Sequence, residues 1–130
     1  MTSSSRPLSR MFGMAAIAAT ALLASTAVLA QPAIVFDMGG KFDKSFNEAG
    51  FNGMERWKKE TGKPYLEFEI TNESQREQAI RRMAERNASP IIAMGFGQAS
   101  ALEKVAKDFP NLQFAIVDMV VKVLGHLFKR

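Results

Sequence analysis

Three stretches of this chain are short, almost uninterrupted apolar runs: Pro32–Asp37 (PAIVFD), Pro90–Met94 (PIIAM) and Leu112–Asp118 (LQFAIVD). Each is too short for a buried helix and is bounded by Pro, Gly or Asp. The first two, continuously apolar, read as strands buried on both faces, as in parallel sheets, and Leu112–Asp118 as a further strand. A fourth run, Tyr65–Ile70, alternates instead, with Leu66, Phe68 and Ile70 against Glu67 and Glu69. It predicts a strand with one wet face, near a sheet edge.

The segments between these runs have helical spacing. The first is capped by Asp43 or Ser45, carries Phe46, Gly50, Gly53, Met54 and Trp57 on one face, and stops at Gly62. Two glycines there allow close approach to a sheet, at a propensity cost of about 1 kcal/mol each. The second opens at Asn72 or Ser74 and places Ala79, Ile80, Met83 and Ala84 inward, with Arg76, Glu77, Arg81, Arg82 and Glu85 outward. The third carries Leu102, Val105, Ala106 and Phe109. The order β-α-β-α-β-α-β with connections of this length implies an α/β fold, a parallel sheet of about four strands with flanking helices and right-handed crossovers. The expected strand order is 2-1-3-4.

In such sheets ligands bind at the carboxyl ends of the strands, where the order reverses. Asp37–Phe42, Met94–Gln98 and Asp118 converge on that rim. Asp37 is either a loop-ordering carboxylate, an acceptor for a polar ligand or a receiver-type phosphoacceptor. Phe46 falls on the apolar helix face and reads as core, as do Met54 and Trp57. Phe42 has less core reason to be in its loop and offers a stacking surface for a flat ring. The Asn47 amide suits the edge of a nucleobase or local bonding in the first helical turn. Asp118, ending an apolar strand, must be hydrated, paired or ligand-bound. Phe96 reads as a cleft-wall or lid residue, or as a surface aromatic.

Composition narrows the chemistry. The 130 residues contain no Cys and one His, His126. Disulfides, thiolate metal sites, cysteine nucleophiles and a lipid-modified cysteine are ruled out, and a His-based triad or metal cluster has no material. No catalytic, metal or cofactor site is expected. Gly39-Gly40-Lys41 is followed by Phe42 and lacks P-loop spacing, and Gly95-Phe96-Gly97 is only a fragment of a dinucleotide fingerprint.

Residues 1–30 have the layout of a secretory signal peptide: Arg6 and Arg10, an apolar run through MAAIAATALLASTAVLA, and small residues before Gln31. A retained membrane anchor is the alternative. A periplasmic or cell-envelope location follows. The formal charge is +4, and Arg6 and Arg10 are the only charges in that segment. The remaining cations are interspersed with acids, as in Glu55-Arg56-Trp57-Lys58-Lys59-Glu60, so no nucleic-acid-binding stripe is present.

The stretch Asp37-Met-Gly-Gly-Lys-Phe-Asp-Lys-Ser-Phe-Asn47 resembles the signature block of the BMP (basic membrane protein) family, the substrate-binding proteins of ABC transporters of purine nucleoside receptor type. Similarity continues through Gly53–Trp57, Ser74–Ala79 and Phe114–Asp118, and covers residues 32–121. The resemblance implies the N-terminal lobe of a type I periplasmic-binding-protein fold, a purine nucleoside or similar polar ligand, and an ABC permease as partner. By position, Phe42 is similar to the stacking residue, Asn47 and Asp118 to base-edge contacts, and Asp37 and Phe96 to cleft-wall residues. Family members are more than twice as long, so residues 31–121 read as one ligand-binding lobe and 122–130 as an unrelated tail, as truncation would leave. An unfinished sheet predicts self-association through its open edge. The competing reading is a stand-alone flavodoxin-like or receiver-like α/β domain.

Overall fold

The computed structural model describes residues 30–122. The expected signal segment, apart from Ala30, and all of the tail after Lys122, including His126, lie outside the described residues. The elements are β1 (Ala33–Phe36), α1 (Phe46–Thr61), β2 (Leu66–Glu69), α2 (Gln75–Glu85), β3 (Ile91–Met94), a 3-10 turn (Phe96–Gln98), α3 (Ala99–Asp108) and β4 (Phe114–Val117). The sheet has the order β2-β1-β3-β4, and all its pairs are parallel.

The central strands bury both faces, as their unbroken apolar composition requires. Ala33 and Val35 face α2 and α3 with Ile91, Ala93, Ile80, Met83, Leu102 and Val105. Ile34 and Phe36 point the other way, toward Met54 and Met94, with Phe51 and Tyr65 packed beside them. β2 and β4 alternate half-buried with exposed residues, which marks both as the edges of the described sheet. Salt bridges Lys104–Glu77 (2.7 Å) and Arg81–Asp108 (2.7 Å) lace α2 to α3 on the surface.

Helix α1 begins where Asp43 satisfies its free N–H groups. The Asp43 carboxylate accepts from the backbone N–H of Ser45 (2.9 Å), Asn47 (3.1 Å) and Glu48 (3.2 Å). Ser45 makes no capping bond of its own. Desolvation raises the Asp43 carboxyl, but the three donors outweigh it and hold it below its ordinary value. The helix ends at Gly62, in the left-handed conformation.

Two expectations about α1 need correction. Phe46 is 37% exposed and Trp57 is only half-buried, whereas Met54 is in the core. A 16-residue helix is about 24 Å long, and the four-residue strands beneath it span about 13 Å, so its ends overhang the sheet. Periodicity identifies the inward face but not where the sheet beneath it stops. Of the two glycines on that face, only Gly50 makes a close approach: a Cβ there would lie 2.8 Å from Met94 Cε and 3.2 Å from Ile34 Cδ1. Gly53, read from sequence as part of that face, is exposed and has nothing within 4 Å among the described residues, so it does not approach the sheet.

Candidate functional site

The carboxyl ends of β1, β3 and β4 open onto three loops. The first follows β1. Asn47, 1% exposed, uses its amide as a strand-like partner for the Asp37 backbone: Asp37 N–H donates to Oδ1 (3.1 Å) and Nδ2 donates to the Asp37 carbonyl (3.0 Å). This bonding reaches back ten residues and differs from local first-turn bonding, one of the two readings open for Asn47. It fixes where β1 releases the chain and aims the Asp37 side chain.

That side chain meets Arg76, which donates from Nη2 to Oδ1 at 3.2 Å, and Arg76 also pairs with Glu73 at 3.6 Å. The sequence shows Arg76 on the polar face of α2 and within the Ser74–Ala79 stretch, with nothing that pairs it to Asp37. Its role depends on two turns meeting in space, for which a linear pattern gives no signal.

The second loop, Gly95-Phe96-Gly97-Gln98, follows β3. Gly95 (φ +93°) lies against Asp37, and a Cβ there would stand 2.9 Å from Oδ2. Gly97 lies against Arg76, with a Cβ position 2.9 Å from Nη2. Phe96, between them, is 68% exposed. Gln98 is fully buried and donates from Nε2 to the carbonyls of Val35 (3.0 Å) and Met94 (2.8 Å), joining the ends of β1 and β3. Its Oε1 finds no donor among the described residues. The sequence places Gln98 on the rim but not in this bridging role, because a glutamine after a strand looks like any loop residue.

The third rim element is Asp118. It is exposed and has a left-handed backbone (φ +72°), a conformation aspartate tolerates better than most residues. The preceding residue, Val117, accepts through its carbonyl from the N–H of Gly95 (3.2 Å), so Asp118 and Phe96 flank neighbouring strand ends.

Asp37, Asn47, Phe96 and Asp118 thus share the rim of β1, β3 and β4. Phe42, 64% exposed, lies toward β2. Its ring meets Phe51 edge-on at 5.1 Å, and Lys41 Nζ stands over both rings. Phe46 sits one turn before Gly50 on the helix face that touches Met94 and Ile34, so it overhangs the ends of β1 and β3. It joins the rim aromatics. Beside the rim an open cleft of ≈ 400 Å³ between α2 and α3 is lined by Arg76, Gly97, Ser100 and Lys104 among others. Among the described residues no cluster of three His, Cys, Asp or Glu could hold a metal.

A family model described as "ABC transporter substrate-binding protein PnrA-like" (Bmp) matches residues 30–124. The chain belongs to this family. It is 34% identical over 89 residues to an uncharacterized lipoprotein of Pyrococcus furiosus, covering 65% of this chain and 22% of that one. It is 30% identical over 93 residues to the ABC transporter nucleoside-binding protein BmpA of Lactococcus lactis subsp. cremoris, covering 68% and 26%. The chain therefore spans about a quarter of the curated relatives it matches. The same fold occurs in an ABC transporter solute-binding protein of Aeropyrum pernix K1 (TM-score 0.66, 26% identity, 72% of this chain and 25% of that one). A crystallised fragment from Peptoclostridium difficile 630 also has it (TM-score 0.65, 26% identity, 72% and 76%).

Proposed function

We propose that residues 31–121 form one wall of a receptor cleft for a flat-ringed polar solute of purine nucleoside type. The protein would act outside the cytoplasm, at the cell envelope, and deliver to an ABC permease without catalysing a reaction. The observation that carries this reading is the rim itself. Exposed phenylalanines Phe96, Phe42 and Phe46 stand at loops and a helix start, where packing does not require them. Phe96 stands beside the carboxylates Asp37 and Asp118 at the strand ends. Rings supply stacking area and carboxylates accept from the N–H groups of a base edge. The similarity to a nucleoside-binding protein supports the ligand class.

Asp118 is the more available acceptor, since it is exposed while Asp37 is engaged by Arg76. Asn47, 1% exposed with its amide bonded to the Asp37 backbone, contributes by placing Asp37. A single wall provides part of the stacking and hydrogen bonding of a two-walled cleft, and each 1.4 kcal/mol forgone weakens binding about tenfold. The expected affinity of this chain alone is therefore weak, with Kd near the millimolar range of about −4 kcal/mol.

The test is an NMR titration with inosine, with ribose as control. Shifts clustered at residues 42–47, 95–97 and 118 support the reading. Shifts that are absent at saturating inosine, or scattered over α2 and α3, overturn it. Tight micromolar binding would overturn the one-wall affinity argument.

A further inference from the structure

The two glutamates that give β2 its wet face do more than meet water. In register Glu67 lies beside Ile34 and Glu69 beside Phe36, so both project on the α1 side of the sheet, beyond the area α1 covers. The loop after β1 descends onto them there. The Lys41 backbone N–H donates to Glu69 Oε2 (2.9 Å), and Lys41 Nζ donates to Glu67 Oε1. Gly40 makes room for this approach, since a Cβ there would lie 2.9 Å from Glu69 Oε2. Lys41 is largely covered, with 19% of its side chain exposed, and its ammonium stands 5.5 Å from the Phe42 ring centre and 5.2 Å from that of Phe51. One cation thus joins a carboxylate on the edge strand to two rings that already touch each other edge to face.

We infer that Lys41, Glu67 and Glu69 are positioning residues. They strap the aromatic loop to the edge strand and hold Phe42 in one orientation with a ring face open. The inference rests on the reading of Phe42 as a ligand-facing ring, and it extends that reading to residues that touch no ligand. A free loop would have to order on binding, at a cost of about 0.5–1.5 kcal/mol for each immobilised side chain. A strapped loop has met that cost beforehand. The contact of a cation with an aromatic face adds direction to the ion pair, which alone would fix only a distance.

The experiment uses NMR on the full chain and its Lys41→Met, Lys41→Arg, Glu67→Gln and Glu69→Gln variants, with Glu60→Gln on the far end of α1 as control. In the parent chain, Phe42 and Phe51 ring protons show mutual NOEs. Lys41→Met and Glu67→Gln are expected to abolish these NOEs, and Lys41→Arg to restore them. Glu69→Gln keeps an acceptor but removes its charge, and is expected to speed exchange of the Lys41 amide several-fold, as a charge-assisted bond becomes a neutral one, while the Ile34 and Val35 amides stay protected. Ring NOEs and Lys41 exchange that match the parent in every variant overturn the strap. An inosine titration separates the two claims. If the parent binds, Lys41→Met should raise Kd several-fold with an unchanged melting temperature, and an unchanged Kd denies Lys41 any positioning role in binding. If the parent fails to bind while the NOEs respond as described, the strap stands and the nucleoside reading falls.

Discussion

Asp37 and Arg76 form a 3.2 Å ion pair whose two ends rest against the two glycines of one loop: the carboxylate against Gly95 and the guanidinium against Gly97. The pair is partly shielded, with 26% and 17% of the side chains exposed. It ties the end of β1 and the start of α2 to the loop after β3. The Gly-x-Gly spacing, which fails as a dinucleotide fingerprint, is explained by this seating.

Alanine at the two glycines should therefore act differently. Gly95→Ala combines a positive φ with a 2.9 Å contact to Asp37 and is expected to cost about 1–3 kcal/mol in urea unfolding. Gly97→Ala meets only the flexible end of Arg76, so its smaller cost should largely vanish in an Arg76→Ala background. A coupling of about 0.5 kcal/mol or more in that double-mutant cycle is expected, and strict additivity would contradict the seating.

The two glycines of α1, Gly50 against the sheet and Gly53 exposed, give a second contrast. Gly53→Ala adds a methyl in open space and should stabilise the chain by about 0.5–1 kcal/mol through helix propensity. Gly50→Ala has the same propensity gain but pushes into Met94 and Ile34, where overpacking costs about 1–3 kcal/mol. Its melting temperature should fall below that of Gly53→Ala, and equal gains at both sites would refute the close approach.

Much of the fold was legible because the strands announce themselves in two different ways. PAIVFD and PIIAM are apolar without interruption and occupy the two central positions, while LEFE alternates and lies at an edge. The rim was legible for the same reason, since strand ends in a parallel sheet must gather on one side. The bonds that organise it were not. Arg76 reaches Asp37 across 39 residues, and Gln98 reaches Val35 across 63. Helical spacing puts Phe46 in the core because it gives a direction but not an end point. Lys41 is one loop residue among several, and its pairing with Glu67 and Glu69 spans 26 and 28 residues, beyond any local pattern.

Acid should weaken the fold through carboxylates held below their ordinary values. Asp43 is held down by three backbone donors against desolvation. Glu77 is lowered chiefly by its hydrogen bond from Lys104 and also by Arg81, against desolvation. For groups depressed in the folded state, stability is fully present above the unfolded value near about 4 and is lost as pH falls through the folded one. Urea midpoints should therefore decline below that pH. Asp43→Asn, which accepts hydrogen bonds at any pH, should flatten the decline, and an identical slope in the variant would remove Asp43 from the account.

The two sheet edges differ in how they are defended. β2 presents Glu67 and Glu69, and alternating charge of this kind deters strand addition. β4 reads Phe-Ala-Ile-Val, with Ala115 and Val117 exposed and Met119 (50%) and Val120 (81%) exposed after it. Among the described residues no strand pairs with its outer side. We expect the chain to self-associate through β4, with a weight-average mass in sedimentation equilibrium that climbs with concentration. Val117→Lys places a charge on the exposed face, where Val117 is 39% exposed and contributes little to the core, so it should restore monomer behaviour without lowering the melting temperature. Both chains carry the same N-terminal segment, so the difference between them isolates the edge. A parent chain that stays monomeric over a wide range of concentration, or a lysine variant that associates as the parent does, would place any association elsewhere than on β4.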